Sequence, residues 1–309
     1  MEEEKLDVII IGGGPAGLAA GLYTCRAGLK TLLLEKLMPG GQAATTDSIE
    51  NYPGFPEAIS GPELMSRFQQ QAERFGLEIE HREATGIAVD GMERIVRTED
   101  GDLRTKVIIV ASGSQYRHLG VPGEDRLRGR GVSYCATCDG PFFQDVTIAV
   151  VGGGDTAVEE GIYLTRFAKK LYIIHRRDQL RATKLVQERA FANDKITLVW
   201  NSVVEEIEGE NAVSSLKLRN VKTGEISHLP VEGVFILVGT VPNTDFVKGT
   251  LDLDERGYIV TKGHTETNLP GVYAAGDVQD SVFQQVATSA GEGVQAAMLA
   301  EKYITEHFG

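Results

Sequence analysis

Apolar and polar residues follow the same order in two separate segments of the chain, residues 8–35 and residues 148–175. Each segment begins with a short apolar run, continues through a glycine-rich turn and an amphipathic stretch, and ends with a second apolar run. The two segments align with each other without gaps. This order is typical of a strand, a helix and a second parallel strand, so the pattern predicts two βαβ units of doubly wound sheets.

The turn of each unit carries a glycine motif in which every position has a mechanical reason. The motif G-x-G-x-x-G, or its variant ending in alanine, is formed by Gly12, Gly14 and Gly17 and again by Gly152, Gly154 and Ala157. The first glycine permits a tight turn and the second lets a pyrophosphate approach the backbone. The third residue must be small so that helix and strand pack closely. Two such motifs in register predict two dinucleotide sites.

The residue that ends the second strand differs between the two units. It is Glu35 in the first unit, where a carboxylate accepts hydrogen bonds from ribose hydroxyls and repels a 2'-phosphate, which suits FAD or NAD. It is His175 in the second unit, followed by a cationic cluster of Arg176, Arg177 and, one helical turn further on, Arg181. Guanidinium groups bind phosphate, so the second site is predicted to prefer NADP. The alternative interpretation of the cluster is a solvated basic turn.

A third segment completes the first domain. Gly276 and Asp277 follow an apolar strand at residues 272–275 and precede a helical pattern from about residue 283 to residue 303. Asp277 can accept a hydrogen bond from a flavin ribityl hydroxyl, although an aspartate in this position is often only a helix cap. The predicted fold class is therefore α/β, with two Rossmann-like dinucleotide-binding domains, the second inserted into the first.

Composition narrows the function further. The 309-residue chain is long enough for two domains, and its net charge of -13 argues against nucleic acid as a partner. Residues 8–25 are uncharged, but Gly12 and Pro15 interrupt the run, so no membrane span is expected. An acidic N-terminus argues against a secretory signal, and a cytoplasmic location is expected.

Three interpretations compete for the segment from Cys135 to Asp139, which contains Cys135 and Cys138. A structural zinc site needs four ligands, and the only other cysteine is Cys25 in the first predicted helix, so no metal is expected. A pair of inert buried thiols is possible. A redox-active dithiol is favoured, because C-x-x-C closes a small reducible ring and the following carboxylate of Asp139 can donate a proton. Cys25 is expected to be a small buried core residue.

Taken together, these motifs resemble those of the low-molecular-weight thioredoxin reductases. The resemblance runs from Asp7 to Tyr303 and includes both glycine turns, Gly41-Gln42, Asn51, the Cys135 segment, His175 to Arg181 and the Gly276-Asp277 segment. It implies FAD and NADPH as cofactors, a homodimer, and thioredoxin as the electron acceptor. It also implies that Cys138 lies nearest the flavin, that Cys135 exchanges with thioredoxin, and that Asp139 is the acid.

The resemblance and the repeat together give a set of cofactor-binding residues. Those expected at FAD are Gly12, Gly14, Pro15, Ala16, Gly17, Glu35, Gly41, Gln42, Asn51, Ala111, Gly276, Asp277, Gln284, Gln285 and Val286. Those expected at NADPH are Gly152, Gly154, Asp155, Thr156, Ala157, His175, Arg176, Arg177 and Arg181. The family commonly has an arginine where this chain has Gln284, so a cationic contact near the cofactors is missing here.

The expected domains are an FAD-binding domain of residues 1–113 and 245–309 and an NADPH-binding domain of residues 118–242 that carries the cysteine pair. A rotation of the central domain about two linkers, near Ser114 to His118 and near Pro242 to Phe246, is expected to present first the nicotinamide and then the disulfide to the flavin. Three arginines lie just before the pair in an otherwise acidic chain, Arg126, Arg128 and Arg130, and they favour docking of an acidic thioredoxin, unless they form only a solvated loop.

Two other functions remain open at this point. A thiol oxidase would pass electrons from a small dithiol through flavin to oxygen, but it would not need the cationic cluster after His175. A nucleotide-sensing regulatory protein would not need the C-x-x-C-D segment. Both features together favour the reductase.

Overall fold

The computed structural model describes residues 6–46, 48–280 and 282–309. The chain divides into two compact units, one formed by Met1–Gln115 with Thr240–Gly309 and the other by Tyr116–Gly239. The second unit is therefore an insertion in the sequence of the first, as the pattern predicts.

The helices and strands follow in chain order. The helices are α1 (Pro15–Arg26), α2 (Gly61–Glu73), α3 (Ala136–Asp139), α4 (Asp155–Leu164), α5 (Lys184–Phe191) and α6 (Val286–Phe308). The strands are β1 (Leu6–Ile11), β2 (Thr31–Glu35), β3 (Glu78–His81), β4 (Ala84–Asp90), β5 (Glu93–Thr98), β6 (Gly101–Val110), β7 (Ser114–Tyr116), β8 (Val132–Ser133), β9 (Thr147–Val151), β10 (Lys170–Ile174), β11 (Ile196–Val199), β12 (Ser202–Glu208), β13 (Ser215–Asn220), β14 (Ile226–Pro230), β15 (Gly233–Ile236), β16 (Thr240–Pro242) and β17 (Val272–Ala274).

The first unit is built on a sheet in the order β3-β2-β1-β6-β5-β4. The four neighbouring strands β3, β2, β1 and β6 run parallel. Strands β4 and β5 form an antiparallel hairpin, and β5 pairs with the first half of β6. The second half of β6 pairs instead with β17, in parallel. The carboxyl ends of β1, β6 and β17 therefore lie at one edge of the sheet, where doubly wound folds bind their ligands.

The central strands of this sheet are covered on both faces. Val8 and Ile10 of β1 pack with residues of α1 and α6. On the opposite face, Ile9 and Ile11 pack with residues of the segment 247–278, which follows the inserted unit in the chain. All of these side chains are nearly inaccessible to water. Burial on both faces explains why β1 is an unbroken apolar run rather than an alternating one.

The second unit repeats this design. Its parallel sheet has the order β11-β10-β9-β15-β8, and a three-stranded antiparallel sheet of β12, β13 and β14 follows β11 in the chain. The segments β1-α1-β2 and β9-α4-β10 are the two βαβ units that the repeat predicts. The α/β fold class with two Rossmann-like domains is thus confirmed.

Two local expectations need correction. The C-terminal helix begins at Val286 rather than near Phe283, because Gln285 and Thr288 form reciprocal hydrogen bonds at its start. Arg181 lies in the loop between β10 and α5 and not on a helix.

The first glycine turn brings the end of β1 close to α1 and to the residue that follows β6. Gly12 has a φ of 108°, in the region that favours glycine, and a Cβ atom there would lie 2.4 Å from the carbonyl oxygen of Ala111. A Cβ atom on Gly17 would lie only 1.9 Å from the carbonyl oxygen of Gly12. Strand and helix therefore touch through backbone atoms alone.

Replacing Gly17 by alanine is expected to destabilise the first unit. The added methyl group meets backbone that cannot move aside, at a cost of about 1–3 kcal/mol, which exceeds the gain of up to about 1 kcal/mol from helix propensity. A lower urea midpoint would be measured by circular dichroism.

The matched control is Gly161→Ala, because a Cβ atom on Gly161 of α4 meets only ordinary contacts at 3.4 Å. This control should be neutral or stabilising. Equal midpoints for the two variants would contradict the packing argument.

Candidate functional site

The redox pair lies at the start of α3, in the second unit. Cys135 and Cys138 are joined in a disulfide, and both side chains are partly exposed. The Cys135 sulfur accepts the N–H of Cys138 at 3.2 Å and lies 3.4 Å from the Thr137 hydroxyl. Hydrogen bonds to a sulfur favour its anionic form, so these neighbours would stabilise a thiolate at Cys135 once the disulfide is opened.

The carboxylate of Asp139 is fixed beside the pair by a buried serine. The Ser133 hydroxyl donates to Asp139 Oδ2 at 2.6 Å and accepts the N–H of Cys135 at 3.1 Å. Ser133 belongs to the short strand β8, which pairs with β15 at the edge of the parallel sheet. The sheet thus positions both the first cysteine and the acid, a role for Ser133 that the sequence analysis missed.

A second network holds the residue just before the pair. The buried hydroxyl of Tyr134 donates to Glu124 Oε1 at 2.7 Å and lies 3.1 Å from His118 Nδ1. Glu124 also accepts the N–H groups of Leu119 and Gly120 at 3.0 and 2.8 Å. Burial raises the pKa of Glu124, but the hydrogen bonds from Tyr134 and the backbone outweigh it and leave the pKa lowered.

The turn from Cys135 to Cys138, the redox turn, is also contacted by a carboxylate of α4. Glu160 Oε2 accepts the N–H of Ala136 at 3.3 Å. Burial, and to a smaller extent the charge of Glu159, raises the pKa of Glu160 to about 7. No sequence signal marked Glu160, because its partner lies in a different element.

The first glycine turn is closed by its own carboxylate. Glu35 accepts the N–H of Gly13 at 2.7 Å and that of Leu37 at 2.9 Å. Gly40 donates its N–H to the carbonyl of Gly13 at 2.7 Å, and this brings Gly41 against Gly14. A Cβ atom on Gly14 would meet nothing within 4 Å, so the backbone there faces open space. Pro15 and Ala16 begin α1 directly behind this turn.

Polar side chains from distant segments meet near the carboxyl end of β6. Gln42 donates through Nε2 to the carbonyl of Ser114, and the Ser114 hydroxyl accepts from Gln284 at 3.2 Å. Asn51 donates to Gln285 Oε1 at 3.1 Å, just before Val286 begins α6. The amide oxygen of Gln42, Oε1, is buried and has no hydrogen-bond partner among the described residues.

Two carboxylates lie where the end of β17 meets α6, Asp277 just after the strand and Glu292 on the helix. Asp277 accepts the Ser289 hydroxyl at 3.0 Å, and Glu292 accepts the N–H of Gly276 at 2.6 Å. Burial raises the pKa of Asp277 to about 6, and the charges of Glu292 and Asp280 add to this. Burial also raises the pKa of Glu292. The sequence analysis identified Asp277 but missed Glu292.

The second glycine turn has a histidine in the place of the carboxylate. The His175 ring lies so close to Gly153 that a Cβ atom there would be 2.3 Å from Nδ1. His175 is 6% exposed, and its Nε2 has no hydrogen-bond partner in the part of the chain that the structure describes. Burial lowers the pKa of His175, and the charges of Arg181, Arg176 and Arg177 lower it further, so the ring is neutral near pH 7.

The loop after His175 is fixed to the turn. Arg181 donates its N–H to the carbonyl of Gly153 at 2.6 Å, and its guanidinium lies beside Gly154. Asp155, the first residue of α4, accepts the N–H of Thr183 at 2.7 Å. Thr156 follows on the exposed face of α4, whereas Ala157 is buried against the sheet. The predicted residues of the second turn therefore lie together.

Cys25 is less buried than expected. Its side chain is partly exposed at the edge of the core, and the fully buried position belongs to its neighbour Thr24. Burial still raises the pKa of the Cys25 thiol. Because the thiolate is the reactive form, Cys25 is a poor nucleophile.

The geometry can be compared with known proteins. The model of the family described as pyridine nucleotide-disulphide oxidoreductase matches residues 6–293. A thioredoxin reductase of Streptomyces coelicolor is 53% identical over 301 residues, which cover 96% of this chain and 94% of that protein. This chain belongs to the thioredoxin reductase family. The resemblance stated from the sequence motifs is thereby confirmed.

Other thioredoxin reductases are similarly close. That of Bacillus subtilis is 46% identical and covers 99% of this chain and 97% of its own. The crystal structure of thioredoxin reductase from Streptococcus pyogenes has a TM-score of 0.93 and 47% identity, covering 98% of this chain and 99% of that chain. In the part of the chain that the structure describes, no helix is both long and apolar enough to span a membrane.

The raised pKa of Asp277 predicts a specific pH dependence of stability. Its pKa is about 6 in the fold against an ordinary 3.8, so the folded protein binds this proton more tightly than the unfolded chain. The stabilisation is therefore complete below about pH 4 and is lost as the pH rises through 6. Asp277→Asn should remove this fall, which amounts to about 2–3 kcal/mol.

The measurement is the urea unfolding free energy between pH 4 and pH 7.5 for the wild type and Asp277→Asn. Asp102→Asn is the matched control, since Asp102 is an exposed aspartate on β6 of the same unit and its charge is not among the causes that raise the pKa of Asp277. A wild-type profile that stays parallel to that of Asp277→Asn would contradict the prediction.

Proposed function

We propose that this chain is an NADPH-dependent thioredoxin-disulfide reductase that uses FAD. The observation that carries the proposal is the Cys135–Cys138 disulfide, partly exposed, with a fixed carboxylate beside it, in a chain that has two glycine turns of different chemistry. A dinucleotide turn that selects a hydride donor, a second that selects a flavin, and a reducible disulfide are the three parts that such a reaction needs.

The residues of the first unit fit FAD. The open backbone at Gly14 suits a pyrophosphate, and Glu35 orders the turn where the adenosine ribose would lie. The buried Gln42 Oε1 lacks a donor, which a bound flavin would supply. Asp277 already accepts the Ser289 hydroxyl, and its carboxyl group would accept a ribityl hydroxyl in the same way. The first unit is therefore our proposed FAD-binding domain, with Ala111, Gly276, Gln284, Gln285 and Val286 around the same edge of the sheet.

The residues of the second unit fit NADPH. Three guanidinium groups follow β10, and one of them, Arg181, lies beside Gly154. A 2'-phosphate at this loop would find charge-assisted donors, and the buried Nε2 of neutral His175 would find a polar partner. The second unit is therefore our proposed NADPH-binding domain.

The flavin would supply the step between hydride transfer and disulfide reduction, by taking two electrons from NADPH and delivering them to the cysteine pair. Among the protein's own groups, Cys138 is the proposed sulfur nearest the flavin. Cys135 is the proposed sulfur that attacks thioredoxin, because its two hydrogen-bond donors stabilise a thiolate. Asp139, fixed by Ser133, is the proposed acid that returns a proton.

Two partners complete the proposal. Thioredoxin is the proposed acceptor, and the exposed arginines at positions 126, 128 and 130 give a basic approach to the pair in an acidic chain. A second copy of the chain is proposed at an apolar groove of about 340 Å³ on the first unit, lined by α1, α2 and α6. A cytoplasmic location suits the reaction, because thiols are kept reduced there.

The deciding experiment is anaerobic addition of NADPH to the purified protein, followed by oxidised thioredoxin. Bleaching of flavin absorbance by NADPH and its recovery on addition of thioredoxin would support the proposal. Bleaching only by a small dithiol would favour a thiol oxidase, and the absence of flavin would favour a nucleotide sensor.

Replacing Cys138 by serine should reduce thioredoxin-dependent turnover by at least about a thousandfold, because it removes the disulfide through which all electrons pass. NADPH should still bleach the flavin in this variant. Cys25→Ser is the matched control and should retain nearly full turnover. A comparable loss in both variants would refute the assignment.

Replacing Arg181 by glutamine should raise the KM for NADPH by about ten- to a hundredfold, the usual loss for one charge-assisted phosphate contact. The KM for NADH should change less than about twofold, since NADH has no 2'-phosphate to contact. Arg189→Gln on the exposed face of α5 is the control. Equal effects on both nucleotides would count against a 2'-phosphate at this loop.

A further inference from the structure

The redox turn rests on a carboxylate that the mechanism above does not use. Helix α4, which the structure describes throughout, carries Asp155, Glu159 and Glu160. Asp155 accepts the N–H of Thr183, and Glu159 is exposed. Only Glu160 is directed at the redox turn, where it accepts the N–H of Ala136.

The N–H group that Glu160 accepts belongs to Ala136, the residue that directly follows Cys135. Ala136 is fully buried among Ala157, Val158 and Leu164, so its N–H has little access to water. A buried N–H that loses its acceptor costs free energy, and the carboxylate therefore determines how this turn is seated on α4. The Glu160 carboxylate lies at most about 8 Å from the Cys135 sulfur, given the 3.3 Å contact and standard bond lengths.

We propose that Glu160 is a positioning residue of the redox pair: it fixes the turn between Cys135 and Cys138 and places a negative charge that opposes thiolate formation at Cys135 after reduction. This inference rests on the proposed function, since it needs the disulfide to open during turnover. Opening breaks the sulfur–sulfur bond with two electrons from NADPH and two protons and leaves two thiols. Cys135 must then lose a proton to attack thioredoxin.

The charge has a direction that suits a reductase. A dithiol whose thiolate is strongly stabilised is a good oxidant, because its reduced form is favoured. The N–H of Cys138 and the hydroxyl of Thr137 stabilise the Cys135 thiolate, and the charge of Glu160 works against them. The pair is thereby kept able to pass its electrons on.

The groups around Glu160 leave its charge uncompensated. On its own helix the charge of Glu159 adds to the effect of burial, and both raise the pKa of Glu160 to about 7. On α3 the nearest acid is Asp139, which Ser133 binds. On α5, which packs against α4, the charged side chains are Lys184, Glu188 and Arg189. Within the described ranges of the chain, no lysine or arginine is among the groups that shift the pKa of Glu160.

The test measures the reactivity of Cys135 without NADPH or thioredoxin. The flavin-loaded protein is reduced with dithiothreitol, freed of excess reagent under anaerobic conditions, and alkylated with iodoacetamide between pH 5 and pH 10. The rate at Cys135 is followed by mass spectrometry. Glu160→Gln retains an acceptor for the Ala136 N–H but lacks the charge. Its alkylation profile should coincide with that of the wild type near pH 5, where the wild-type Glu160 carboxyl is protonated. Above about pH 7, where Glu160 is ionised, the profile should be shifted to lower pH by up to about one unit, which gives up to about tenfold faster alkylation.

The matched control is Glu159→Gln, which removes the same charge from the exposed neighbour and should shift the profile by less than a third as much. Glu160→Ala removes both the charge and the acceptor. It should show the same shift together with slower alkylation at every pH than Glu160→Gln, because the turn is no longer fixed. The equilibrium with a glutathione buffer should move towards the dithiol in Glu160→Gln, and a tenfold change there corresponds to about 30 mV.

A shift in Glu160→Gln no larger than in Glu159→Gln, or a shift to higher pH, would overturn the electrostatic part of the proposal. Equal plateau rates for the Gln and Ala variants would overturn the positioning part. Because the reductant is dithiothreitol, these results stand apart from the proposed function. If NADPH failed to bleach the wild-type flavin, the proposed function would be refuted, but the alkylation result could still be interpreted.

Discussion

Carboxylates that accept main-chain N–H groups determine the shape of the first glycine turn, the turn after β17 and the redox turn. Glu35 does this for the first glycine turn, Glu292 for the turn after β17, and Glu160 for the redox turn. Glu124 does the same for the loop that leads to Tyr134. A tight turn exposes N–H groups that no helix or sheet can satisfy, and one ionised acceptor can satisfy two of them. The first glycine turn and the redox turn therefore depend on these acceptors for their geometry.

The same interaction leaves different electrostatic results in the two units. Glu35 uses both oxygens on backbone donors, which hold its negative charge at the edge of the turn. The second turn has no carboxylate at this place but a neutral histidine among arginines, which leaves the loop cationic. One backbone design thus presents an anionic and a cationic edge, and this difference is what separates the two proposed nucleotides.

The order of elements and the identity of the turns could be predicted from the sequence, because their signals are local. Strand, glycine turn and helix follow one another within each repeat, and the cysteines are three residues apart. The carboxylate contacts could not be predicted in this way. Glu160 is separated from Ala136 by a loop and a strand, and Glu292 meets Gly276 only because α6 packs behind β17. Both are ordinary helix residues in the sequence, and only the packing of their elements makes them acceptors.

The boundaries of elements were predicted less well than their order, for a related reason. The apolar pattern extends to Phe283, but the side chains of Gln285 and Thr288 form the hydrogen bonds that begin α6. Arg181 stands at a helical spacing from Arg177, yet its N–H is bound to Gly153 and the chain there is a loop. In both places a side-chain or backbone hydrogen bond outside the periodic pattern decided the local structure.

The pairing of β17 with β6 has a consequence for synthesis of the chain on the ribosome. The sheet of the first unit lacks this neighbour, and α1 lacks the cover of α6, until residues 272–308 have left the exit tunnel. The inserted unit is contiguous and is complete well before that time. The nascent chain therefore carries a finished middle domain between two halves of an unfinished one, and the apolar surface of α1 stays uncovered for the longest interval of translation.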